Sequence, residues 1–159
     1  MDFSSEHYYR ASLERMRQAQ ELYRTEANYA LTMYVAGVAV ECMLRAYLLK
    51  KSTEFESRHD VLLLLQESGM LEVDPDILKR KGLSDEGIVN HRRTLHQAVS
   101  AVYGLWRNEY RYASESRLLA HLKRRKLYRK AKGDQLKANA LHLLEAAELF
   151  VERGIVQWH

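Results

Sequence analysis

Glu41 and Arg45 stand four residues apart in AGVAVECMLRAYLLK (residues 36–50), a segment otherwise apolar enough for the middle of a core. Glutamate first and arginine at i+4 is the favourable order for a helical ion pair. On a solvated surface such a pair contributes only ~0.3–0.5 kcal/mol. On a central helix, stripping water from either charge costs several kcal/mol, so each needs a partner. Two uses follow. The pair is an ion bridge at the rim of the core, with the stem of Arg45 lying on apolar neighbours, or it is the wall of a polar cleft for a ligand or a catalytic group.

Two further clusters could complete such a cleft. Arg58, His59 and Asp60 fall at an expected helix start, where backbone N–H groups and the helix dipole favour an anion. Asp60 is equally suited to cap that helix with its own carboxylate. WRNEYRYAS gathers Trp106, Tyr110 and Tyr112 around Arg107 and Arg111. Arginine beside aromatic rings suits stacking on bases and holding phosphates; the same residues also serve as an aromatic anchor with solvated arginines.

The strongest electrostatic feature is HLKRRKLYRKAKGDQLK, residues 121–137, with eight Lys/Arg against one Asp. The whole chain nets only +4, so the remainder is acidic and the basic character is local. Lys123, Arg124, Arg125, Lys126, Arg129 and Lys130 alternate with Leu122, Leu127 and Tyr128, as in a helix with one apolar and one basic face. Such a face neutralises phosphates and gives salt-sensitive, sequence-blind binding to nucleic acid.

These residues must be positioned by helices. Alanine, leucine, arginine, lysine and glutamate dominate, with one proline and seven glycines in 159 residues. Apolar periodicity and caps predict helices over about Ser5–Arg24, Tyr29–Lys51, a short one after Asp60 ending at Gly69, and Ser84 to about Trp106. A short basic helix follows Ser114 or Ser116, and a last long one runs from Asp134 to Gly154. The expected architecture is all-α, a single domain over 1–159, folded as an up-and-down bundle of five or six helices.

The single Cys42 allows no internal disulfide, and no targeting segment is visible, so a cytoplasmic protein is expected. Tyr29 to Val40 is too short an apolar run for a membrane span, which needs about 20 residues, so no membrane association is expected. The chain has no glycine-rich phosphate loop, no Gly-x-Ser-x-Gly elbow and no His-Glu-x-x-His, and His91 and His96 are five apart, off metal-ligand spacing. Neither a metal nor a cofactor is expected.

Taken in order, YALTMYVAGVAVECMLRAYLLKK, SRHDVLLLLQESG and WRNEYRYAS resemble the HEPN family, helical domains of prokaryotes and higher eukaryotes associated with nucleotide binding. The resemblance runs from about Tyr8 to Gly154. It implies a helical bundle, a homodimer, and a nucleotidyltransferase-type partner protein in a toxin–antitoxin or phage-defence setting. Many members are metal-independent ribonucleases carrying Arg-x(4–6)-His. This chain departs from that pattern: Arg111 has no histidine at that distance, and Arg117 reaches His121 after three residues. Only Arg153 and His159 match the spacing, with glycine after the arginine. The expected function is therefore a nucleotide- or RNA-binding module using Glu41, Arg45, Arg58, His59, Asp60, Arg107, Arg111 and Tyr112. A ribonuclease with an atypical site is the alternative.

Overall fold

Each helix begins where a short polar side chain can take over backbone N–H groups that the first turn leaves unpaired. Ser4 and His7 form a reciprocal capping box, Asp60 accepts from the amides of Leu62 and Leu63, and Ser84, Ser114 and Asp134 each cap one helix. In the computed structural model, which describes residues 3–51, 59–126 and 133–159, these starts give seven α-helices. They are α1 (Ser5–Arg24), α2 (Tyr29–Lys51), α3 (Val61–Ser68), α4 (Pro75–Arg80), α5 (Asp85–Leu105), α6 (Glu115–Arg124) and α7 (Gln135–Gln157). Two 3₁₀ turns, Met70–Glu72 and Asn108–Tyr112, complete the fold, and no strand occurs among the described residues. The count exceeds the five or six expected because the turn at Pro75 closes as a helix of its own, α4, with Pro75 in its first turn and Asp74 as cap.

Cross-helix contacts fix the topology. Ser12 Oγ donates to the Ala39 carbonyl, while Tyr23 meets Tyr29, so α1 and α2 are antiparallel. Gln20 reaches Glu148 while Tyr9 stacks on Trp158, which makes α1 and α7 antiparallel too. His91 pairs with Gln157 at the far end of α7, and Trp106, just past α5, reaches Tyr34 near the start of α2. The long helices α1, α2, α5 and α7 thus alternate in direction, as an up-and-down bundle.

At the centre lies α2. Its Ala30, Ala36, Gly37 and Ala39 are small enough to let neighbouring helices approach, and Met33, Met43 and Leu44 fill the spaces between. By length and mean hydropathy (1.3 over 18 residues) α2 would pass for a membrane span, yet 78% of that window is buried inside the fold. Its apolar surface is spent on α1, α3 and α7.

One expected boundary moves. Gly154 does not end α7, which continues to Gln157. The glycine is there for close approach: a Cβ would stand 2.8 Å from Met43 Cγ and Sδ, and its carbonyl accepts from the Tyr47 hydroxyl at 2.7 Å. Beyond it Trp158 is held between the Tyr9 and Tyr47 rings with Lys50 Nζ over its face, 3.8 Å from the ring centre.

Candidate functional site

The charges in α2 are buried and bonded. Glu41 is 7% and Arg45 5% exposed. Arg45 Nε lies 2.7 Å and Nη2 2.6 Å from the same carboxylate oxygen, and His59 Nδ1 is 3.0 Å from both oxygens. A carboxylate only accepts, so Nδ1 carries the hydrogen. The result is a joint: α2 holds His59, two residues before α3, and Asp60 next to it caps α3 at 3.0 and 3.1 Å. The carboxylate of Asp60 fills the helix start where an anion was expected to bind. Cys42, beside Glu41, has its thiol pushed up to about 11, first by burial and then by that carboxylate.

The second set of candidates gathers elsewhere. Trp106 is buried and donates its indole N–H to the Tyr34 carbonyl at 3.1 Å, with its ring seated where Gly37 lacks a side chain. This anchors the 3₁₀ turn that follows to α2. Between the turn and α6 lies a cavity of about 600 Å³. Arg107, Glu109, Tyr110 and Tyr112 form one wall, and Arg117, His121, Arg124 and Arg125 the other.

Local sequence explains the α6 wall. Positions 117, 121, 124 and 125 follow the i, i+4, i+7, i+8 rule of one helix face, while Leu118 and Leu122 bury the adjoining face. Cations at the C-terminal end of α6 are also favoured by its dipole. On the opposite wall, Arg107 is braced by Nη1 bonds to the carbonyls of Tyr103 and Trp106, both at 2.6 Å. Tyr110 is 5% exposed and meets the His121 ring edge-on at 5.9 Å. Its hydroxyl is buried without a hydrogen-bond partner among the described residues, and burial raises its pKa. His121 is held below its ordinary pKa, first by burial and then by Arg124, Arg125 and Arg107. Tyr112 stands at the rim, 78% exposed, with the Arg111 guanidinium 4.7 Å from its ring centre.

The expected residues therefore divide. Glu41, Arg45, His59 and Asp60 make the α2–α3 joint; Arg107, Tyr112, Arg124 and Arg125 line the cavity, with Arg111 outside on Tyr112. Lys123 and Lys126 are exposed beside the cavity wall without lining it. Arg58, Arg129 and Lys130 lie outside the described residues. Glu109, Arg117 and His121 were not among the expected site residues; the four-residue step from Arg117 to His121, continued to Arg124 and Arg125, was the signal that could have found them. At the Arg153–His159 match, Nε of Arg153 is buried, and His159 Nδ1 turns to the Gln157 carbonyl at 3.2 Å. Among the described residues, no group of three His, Cys, Asp or Glu side chains could hold a metal ion.

No curated protein and no solved structure matches this chain. The family model of the HEPN domain does, over residues 5–153. With a helical bundle among the described residues and a match across nearly its whole length, the chain belongs to the HEPN domain family, and is in general terms a nucleotide- or RNA-related module.

Proposed function

We propose that this HEPN domain binds a nucleotide or RNA in the cavity between the second 3₁₀ turn and α6. The observation that carries the reading is the imbalance of its walls: among the described residues, four guanidiniums and a histidine line it with one carboxylate, Glu109. Such a surface attracts phosphate, and Tyr112 at the rim offers a face for stacking a base. Family membership supports, as part of the same proposal, action beside a nucleotidyltransferase-type partner protein in a toxin–antitoxin or phage-defence system, with the chain as a homodimer.

The test is fluorescence anisotropy of a labelled oligoribonucleotide between 50 and 200 mM salt. Three neutralised phosphates on a single strand give a slope near −2, a weakening of roughly 15- to 20-fold across that range. Arg124→Ala should weaken binding and flatten the slope. Salt-independent binding, or an Arg124→Ala variant that binds as the parent does, would sink the reading.

A second reading, a metal-independent ribonuclease, is favoured by one specific observation. Arg117 and His121 line the same cavity from adjacent turns, with His121 held toward its neutral form. A neutral imidazole can take the proton of a ribose 2′-OH while guanidiniums stabilise the charge developing on phosphorus. RNA incubated in EDTA would then be cut by the parent and spared by His121→Ala; cleavage that survives the substitution removes the assignment.

A further inference from the structure

The arginines of the cavity are concentrated rather than spread along a groove, and this bears on which phosphate they take. A volume of about 600 Å³ lies within the range of roughly 300–1,000 Å³ typical of sites for one small molecule. Among the described residues, Arg107, Arg117, Arg124 and Arg125 bring four positive charges to that space against the one negative charge of Glu109. An internal phosphodiester brings a single negative charge and two non-bridging oxygens. A phosphate monoester brings about −1.5 to −2 at pH 7 and three strong acceptor oxygens. A di- or triphosphate brings more within the same small volume. A compact cluster of forked donors makes more charge-assisted hydrogen bonds to the second kind of ligand, with its higher charge and three acceptor oxygens, than to the first.

The other wall residues agree. Arg117 and His121 stand on adjacent turns of one helix, so both serve one short stretch of the wall rather than tracking a strand. Arg107 is braced by two backbone carbonyls at 2.6 Å, which fixes its guanidinium at the cavity wall. The exposed ring of Tyr112 lies at the rim, where the base attached to an engulfed phosphate would emerge. His121 adds a proton linkage. Burial first, and then the guanidiniums of Arg124, Arg125 and Arg107, hold its pKa down, and a dianion seated among those guanidiniums would offset the second of these causes.

We propose that the cavity seats the phosphorylated end of a nucleotide or of an RNA strand, a monoester or polyphosphate, in preference to an internal phosphodiester. This rests on the nucleotide- or RNA-binding reading of the same cavity. The test uses the full chain and oligoribonucleotides of one sequence that differ only at their ends: 5′-phosphate, 3′-phosphate, or hydroxyl at both. A phosphorylated end should bind at least tenfold more tightly than the hydroxyl-ended strand, and Arg117→Ala should bring that ratio close to one. Competition identifies the source: a nucleoside triphosphate that displaces the strand at equal or lower concentration marks a free nucleotide, whereas displacement only by a phosphorylated strand marks an RNA end. Equal affinity for phosphate-ended and hydroxyl-ended strands would overturn the inference while the RNA-binding reading stands. A ratio unchanged in Arg117→Ala would overturn it too, by placing the preference outside this cavity. Absence of binding to any strand and to the triphosphate would remove both.

Discussion

Gly37→Ala is the most direct test of how the cavity is held. A Cβ at position 37 would overlap the Cδ1, Nε1 and Cγ atoms of Trp106, where ordinary carbon contacts need about 3.5–4.0 Å. Backbone on one side and a rigid indole on the other leave little room, so Trp106 must leave its seat. Overpacking of this kind costs about 1–3 kcal/mol. Losing the bond from the indole N–H to the Tyr34 carbonyl adds about 1–3 kcal/mol if the donor stays buried. Against this, alanine gains about 1 kcal/mol over glycine in a helix. The net expectation is a loss of about 1–5 kcal/mol, or roughly 2–20 °C in melting temperature for a chain of this size. Circular dichroism melts give the shift, and anisotropy with phosphate-ended RNA should show weaker binding, because the displaced turn carries Arg107 and Tyr110. Gly154→Ala is the comparison: there the neighbour is the flexible Met43, and the cost should be smaller. A Gly37→Ala protein that melts at or above the parent would refute the reasoning, since helix propensity would then have outweighed the clash.

Glu41→Ala strips Arg45 of its buried carboxylate and His59 of its tether, and should cost about 3–5 kcal/mol by urea denaturation; Glu41→Leu combined with Arg45→Met should lose far less if the pair is a joint and not a site. A double variant as unstable as Glu41→Ala would contradict that. Burial lowers the pKa of His91, with only the bond to Gln157 raising it, so the folded state takes up fewer protons than the unfolded chain below about pH 6.5. Stability should be full above that value and fall as pH drops toward the lowered folded pKa, more steeply in the parent than in His91→Gln; parallel melting curves between pH 7.5 and 5 would exclude His91 as the cause.

Helix periods, caps and the buried run of α2 were legible in the sequence because they are local. Ser5–Arg24 and Tyr29–Lys51 fall where the apolar steps and cap residues put them. The two places where the reading shifted depend on contacts distant in sequence. Gly154 looks like a helix stop until Met43 is known to need its missing Cβ, and the Pro75 turn becomes α4 only once Leu78 has a core to enter. The site divided for the same reason. Glu41 and Arg45 announced a polar feature, but whether Arg107 and Arg111 joined them depended on where Trp106 docks. Its seat at Gly37 lies one turn, about 6 Å, before Glu41 on nearly the same stripe of α2. The helix therefore carries the cavity's anchor at one level and the joint to α3 at the next.

The departure from Arg-x(4–6)-His has a geometric meaning. With 100° per residue, an arginine and a histidine five or six positions apart point to different sides of a continuous helix, and only at seven do they return to the same side. A pair spaced in that way must be brought together by a bend in the chain or by a second copy. Arg117 and His121, four apart, need neither: α6 is unbroken from Glu115 to Arg124, and both side chains line one cavity. Arg153 and His159, six apart at the end of α7, show the opposite case, with the arginine Nε buried and the histidine on a backbone carbonyl. The shorter spacing puts both residues on one face of one helix in one chain. The recognition or cleavage proposed for this cavity can therefore be tested within one chain, through Arg117→Ala and His121→Ala.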